Sequence, residues 1–182
     1  MQNFENDTRF SIDDSDDNIR YSIRNTINME WEKQINSVLQ NKKTIKHSDT
    51  LVIEKNTPKF FVENGVSDLP LAIPLSVITK SRSGKNESHN ISDGNLVNLK
   101  NGIKNAVAVI NDDNRKSIVF ITGLKENEKN IVVTFAKNTL FDGDDVHKAI
   151  SIHTKQNITA YLNNQKNVEI YVVNKNKLTD LF

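Results

Sequence analysis

The change of hydrophobic period after Gly102 constrains this chain more than any other feature. Before it, apolar residues recur at helical spacing. Trp31, Ile35, Val38 and Leu39 fall at i, i+4, i+7 and i+8, and Leu96, Leu99 and Ile103 at i, i+3 and i+7. After it come short β-branched runs: Ala106 to Ile110, Ser117 to Thr122, Ile131 to Phe135, Ala149 to Thr154 and Val168 to Val173. Asn, Asp, Gly and Lys separate them, as in hairpin loops. Helices followed by strands give an α+β fold class, with N-terminal helices packed on one face of a largely antiparallel, roughly five-stranded twisted sheet.

Smaller elements fill in the order. Thr26 or Asn28 is available to cap the first helix. Leu51 to Ile53 is extended, Phe60 to Val62 is helical and stops at Gly65, and Pro74 opens a helix running to about Lys80. Leu69-Pro70-Leu71 reads as turn chemistry between the two helical pieces. Ser81 to Asn90 reads as a mobile polar loop, and Ser92 or Asp93 caps the helix that follows. Ile158, Tyr161 and Leu162 suggest one more helical turn.

Charge is distributed unevenly. Residues 1–32 hold eight acids against three bases, and the remainder 21 bases against 15 acids. The expected organisation is an acidic, flexible leader over 1–27 and a single α+β domain over 28–182. The basic excess is either an ordinary Lys-rich surface or a site for something anionic, and charge alone does not choose. The chain has no Cys, so disulfides, zinc–thiolate sites and thiol nucleophiles are excluded. No apolar run is long enough to span a bilayer, so no membrane partner is expected.

The stretch from His147 to Lys155 carries the most chemistry. Strand alternation would place His147, Ala149, Ser151, His153 and Lys155 on one face, with Ile150 and Ile152 directed into the core. Two imidazoles, a hydroxyl and an ammonium in a row suit metal-free phosphodiester chemistry. His89 lies just before a helix start, where free N–H groups favour a phosphate. His147 and His153 are too far apart for a metal pair, and Asp142 to Asp145 lacks calcium-loop spacing, so no metal or cofactor is expected. His47 has no partners and receives no role. In the chemical assignment His89 and His153 share general base and acid duties, and Lys155 and Ser151 stabilise the transition state. Lys80, Thr134 and His147 are candidate substrate contacts.

The order of features is also familiar. Thr57-Pro58, Gly65 and Asp68-Leu69-Pro70-Leu71 come first, then His89 before Ile91 and the Leu96/Leu99 helix. Ala106 to Ile110, Ser117 to Val119, Val132-Val133, Ile150 to Lys155 and Tyr171 to Phe182 complete the series. This order resembles the phage MuF C-terminal domain family over about residues 28–182. Ser151 and Lys155 match the family's Ser-x-Tyr-Gly-Lys pattern, His153 and Thr154 depart from it, and His89 matches a His before the helix. The resemblance implies a toxin-like domain related to the barnase, colicin and RelE-like metal-independent ribonucleases. It implies an RNA substrate (tRNA among the candidates), an immunity or inhibitor protein as partner, and action in the cytoplasm of a bacterial host or target cell after delivery by phage or secretion. The acidic leader is a second candidate to cover the basic cleft. Two alternatives stand beside the ribonuclease: a non-catalytic phage accessory or protein-binding module, and a nucleotide-dependent transferase toxin.

Overall fold

A computed structural model of the chain describes residues 21–40 and 48–172. Seven strands form one sheet: β1 (Thr50–Glu54), β2 (Leu71–Pro74), β3 (Ala108–Asp112), β4 (Ser117–Glu126), β5 (Lys129–Phe141), β6 (Asp144–Lys155) and β7 (Glu169–Val172). Their order is β1-β2-β6-β5-β4-β3-β7, and every neighbouring pair is antiparallel except β2 with β6. The α+β expectation therefore stands, with two strands more than the roughly five expected. The extended piece at Leu51 is β1. The Leu71 segment is a strand as well, because its prolines sit where no ladder donor is needed. Pro70 accepts from the His147 N–H (2.9 Å) and Pro74 ends the strand. Of the acidic stretch 142–145, the first two residues form the turn, and Asp144 and Asp145 begin β6. Asp142 and Gly143, at φ 50° and 83°, join β5 to β6 as a two-residue hairpin.

Helices cover both faces of the sheet, not one. They are α1 (Ile23–Thr26), α2 (Trp31–Gln40), α3 (Lys59–Glu63), α4 (Leu75–Ser81), α5 (Asp93–Val97), α6 (Leu99–Lys104) and α7 (Ile158–Asn163). The main core lies on one face, where Trp31, Ile35, Phe61, Ile78, Leu96 and Ile103 meet Leu51, Ile73, Val109, Phe120, Phe135 and Ile152. The Trp31 indole N–H donates to the Leu96 and Val97 carbonyls (3.1 Å each), fastening α2 to α5. On the opposite face α1 packs Ile23 on Val52, Ala72 and Val146, and α7 packs Ile158 and Leu162 on Val119, Ile121 and Val132. Strands buried on both sides read as unbroken apolar runs, which hides the second layer from a periodicity argument. The two short helices sit at different ends of this second face. Between them Thr134, Lys148, Ser151, His153 and Lys155 stay half-exposed.

Other expectations shift with packing. Tyr21 and Ile23 are buried, and Tyr21 O accepts from the Thr50 N–H (3.1 Å), so from Tyr21 onward the leader segment joins the folded unit. Residues 1–20, His47 and the tail from Val173 lie outside the described residues. Neither proposed cap serves α2, for Asn28 accepts from Lys55 Nζ (2.9 Å) and the Thr26 hydroxyl donates to Ser22 O (2.7 Å). The 81–90 loop is closed on itself. The Gly84 N–H donates to His89 O (2.7 Å), Ile91 N–H to Ser81 O (3.0 Å), and Lys129 pairs with Glu87 at 2.7 Å.

One irregularity decides where the polar side chains of β6 point. Ser151 lies opposite Thr134 and Ala149 opposite Phe135, so Ile150 is an extra residue without a partner, a β-bulge. The extra residue reverses the alternation. Before it His147 and Ala149 face the core, and after it Ile152 and Thr154 do. Ile150 is turned outward and is 51% exposed, which corrects its expected place in the core. His147 is corrected too. It is fully buried and shares no face with Ser151, His153 and Lys155.

Candidate functional site

Ser151, His153 and Lys155 occupy successive outward positions beyond the bulge. The Ser151 hydroxyl lies 3.4 Å from His153 Nδ1, and Thr134 stands across the ladder from Ser151. Lys155 Nζ lies 5.1 Å from the centroid of the Tyr161 ring on α7. Among the described residues the edge of β6 facing β2 is paired at His147 and Lys148, and beyond them α4 and the 3-10 turn at Glu87–His89 cover it. This brings the His89 ring to 6.4 Å from that of His153, centroid to centroid. Four predicted residues, His89, Ser151, His153 and Lys155, are therefore gathered in one place.

The two imidazoles are prepared differently. Asn86 Oδ1 accepts from the His89 backbone N–H (3.0 Å) and stands 2.8 Å from His89 Nδ1. A carboxamide oxygen only accepts, so Nδ1 carries a proton and donates it to Asn86. His153 is held below the ordinary imidazole value, first by burial and then by the nearby charges of His89, Lys155 and Lys80. Lys80 thus acts on the site from α4, through its field, while its own side chain is exposed. The cluster combines a neutral imidazole, a second imidazole and two ammonium groups, which can bind an oxyanion and exchange protons with it.

Two expectations take another form. His147 accepts from the Asn138 N–H at Nδ1 (3.2 Å) and its Nε2 reaches Ser67 O (2.9 Å), so it holds a bulge in β5 and does not face the groove. The start of α5 is not open to a phosphate, because Glu126 Oε2 takes the Ser92 N–H (2.9 Å) and Asn95 Nδ2 (2.8 Å). An apolar cavity of about 910 Å³ is lined by Phe60, Phe61, Ile103, Phe120, Ile170 and Tyr171 and lies away from the imidazoles. Among the described residues no group of acidic and His side chains could hold a metal ion. Sequence reasoning missed Asn86 and Tyr161. Asn three residues before His89 is the available signal for the first, since Asn commonly accepts from a backbone N–H nearby. Tyr161 is brought in by α7, and nothing in its local sequence points to it.

Burial of His147 and His153 has a consequence for stability. Both are held below 6.5, burial being the largest cause in each. As pH falls through that value the unfolded chain takes up protons that the folded chain refuses, so stability decreases. Thermal unfolding is expected to show a lower Tm at about pH 5.5 than at about pH 7.5, a range in which carboxylates stay ionised. His147→Gln should flatten that difference. Identical slopes in the two proteins would contradict the burial of His147.

Among the described residues no helix is long and apolar enough to cross a membrane. No curated protein and no solved structure matches the chain significantly. A family model does: the one described as the phage MuF C-terminal domain matches residues 80–180, which takes in His89, the whole of β6 and α7. The chain belongs to the phage MuF C-terminal domain family, a family of toxin-like domains.

Proposed function

We propose that this domain is a metal-independent ribonuclease-type toxin that cleaves RNA through attack of a 2′-hydroxyl on the adjacent phosphate. The observation that carries this reading is the approach of His89 to His153, at 6.4 Å between ring centroids and beside Lys155 and Ser151. With Nδ1–H donating to Ser151, His153 Nε2 is free to take the 2′-hydroxyl proton. The 2′ oxygen then bonds to phosphorus, the bond to the 5′ oxygen breaks, and His89 Nε2, in its protonated form, delivers a proton to that leaving oxygen. The products are a 2′,3′-cyclic phosphate and a free 5′-hydroxyl. Lys155 and Lys80 offset the charge on the phosphoryl oxygens, and Ser151 and Thr134 offer neutral hydrogen bonds. The lowered proton affinity of His153 supports its role as base, because it stays neutral at neutral pH.

The same basic strip supports an acidic protein inhibitor, or the acids of residues 1–20, as what covers the site. A second reading, a binding module without turnover, draws on the large apolar cavity far from the imidazoles. A nucleotide-dependent transferase would instead show a rise in Tm with a dinucleotide. The deciding experiment incubates the full chain, and a chain lacking residues 1–20, with total RNA in EDTA. Cleavage leaving cyclic phosphate ends is the expected result, and faster cleavage by the shortened chain would mark the leader as an inhibitor. Intact RNA across a broad pH range, together with harmless expression in bacteria, would overturn the ribonuclease reading.

A further inference from the structure

The half-exposed residues of β6 extend beyond the imidazoles in both directions. Lys148 lies before Ser151 and His153 on the strand, and Lys155 after them. Each lysine stands over an aromatic ring: Lys148 Nζ is 4.1 Å from the Phe141 centroid, and Lys155 Nζ is 5.1 Å from that of Tyr161. Both rings are fixed from below, Phe141 by the α1 cluster and Tyr161 by the α7 cluster. Lys148 shares the outer face with Ser151 because the bulge reverses the alternation between them. Between Lys148 and Phe141 on one side and Ile150 on the other, a groove of about 210 Å³ continues toward Val77 of α4. Asp144 is close to Phe141 in sequence, but its carboxylate pairs with Arg24 at 3.5 Å.

We propose that this strip is a binding track for single-stranded RNA, with one lysine–aromatic pair at each end and the reacting phosphate at the Lys155 end. The choice of RNA rests on the ribonuclease reading; the track itself rests on the two pairs. A phosphate drawn to either ammonium pulls it off the ring beneath, and the uncovered ring face is then free to stack a base. Each pair supplies one electrostatic contact and one stacking surface, the combination that holds single strands without reading their sequence. At about 3.3 Å per strand residue the two lysines stand roughly 20 Å apart. A single strand of about four nucleotides is at the short end of what such platforms hold. A duplex has its base faces already stacked and offers nothing to the rings. A protein partner would call for a larger apolar centre than Ile150 and Val77 provide.

The test uses fluorescence anisotropy with 2′-O-methyl oligonucleotides, which have no free 2′-hydroxyl and so bind without being cleaved. A single-stranded oligonucleotide of about six residues is expected to bind at least about tenfold more tightly than a dinucleotide or a duplex of the same sequence. Phe141→Leu and Tyr161→Leu keep apolar bulk against their clusters and should each weaken hexamer binding by about 5- to 20-fold. Lys148→Gln should reduce the salt dependence by about 0.7 in slope. Equal affinity for hexamer and dinucleotide, unchanged affinity in the Leu variants, or no oligonucleotide binding at all would overturn the track, the last leaving the strip to a protein. Failures of the two proposals are separable. Hexamer binding without cleavage of unmodified RNA removes the ribonuclease and keeps the track. Cleavage of dinucleotide and hexamer with equal kcat/KM removes the track and keeps the ribonuclease.

Discussion

His153→Ala is expected to lower the single-turnover rate of RNA cleavage by about 10²- to 10⁴-fold, the usual contribution of a positioned general base. The side chain is half-buried on a strand whose core contacts come from Ile152 and Thr154, so its removal leaves the packed face intact. His89→Ala should fall in the same range. The double variant should lose little beyond either single one, since base and acid act in one step. The pH profile adds a sign that packing damage does not reproduce. His153 works when neutral, so wild-type activity should rise with pH through a value below 6.5, the direction set by its burial and by the cations near it. That rising limb should vanish in His153→Ala. A variant that cleaves at the wild-type rate with an unaltered profile would remove His153 from the mechanism.

The sequence made the site legible where chemistry and local pattern coincide. Ser151, His153 and Lys155 follow the bulge, so simple alternation places them correctly on one face. His89 was found through its loop position, although the helix start thought to assist it is already taken by Glu126. His147 failed for a definite reason. A single extra residue, Ile150, turns the strand over, and no local signal in Ala149-Ile150-Ser151 marks a bulge. The fold shows the same division. The Trp31 helix and the five C-terminal strands carry period or β-branching enough to be read. By contrast β2 is short and bracketed by prolines, and its identity is set by pairing with β1 on one side and, in parallel, with the distant β6 on the other. Of the second helical layer, α7 is legible as a helical turn at Ile158, Tyr161 and Leu162, but its face is not, and the four residues of α1 are too few to show a period.

Phe135→Ala is expected to cost about 3–5 kcal/mol of stability, the range for emptying a buried aromatic site. Its ring has no exposed surface and stands at the end of a chain of edge-on contacts, 5.7 Å from Phe120, which is itself 5.5 Å from Phe61. In a chain of this size that loss should lower Tm by roughly 6–20 °C. Phe135→Leu, which keeps most of the volume, should cost markedly less. The position matters for the site as well as for the core. Phe135 opposes Ala149 at the point where Ile150 is extruded, and the next ladder pair joins Thr134 to Ser151. The ring therefore backs the bulge that turns Ser151 and His153 outward. Denaturant unfolding gives the stability change, and RNA cleavage measured well below the lowered Tm gives the other half. If the bulge aims the site, Phe135→Ala should lose cleavage rate even where it is fully folded, and Phe135→Leu should recover both quantities together. A stability loss within about 1 kcal/mol, the range of ordinary substitutions, would contradict the close packing behind the bulge.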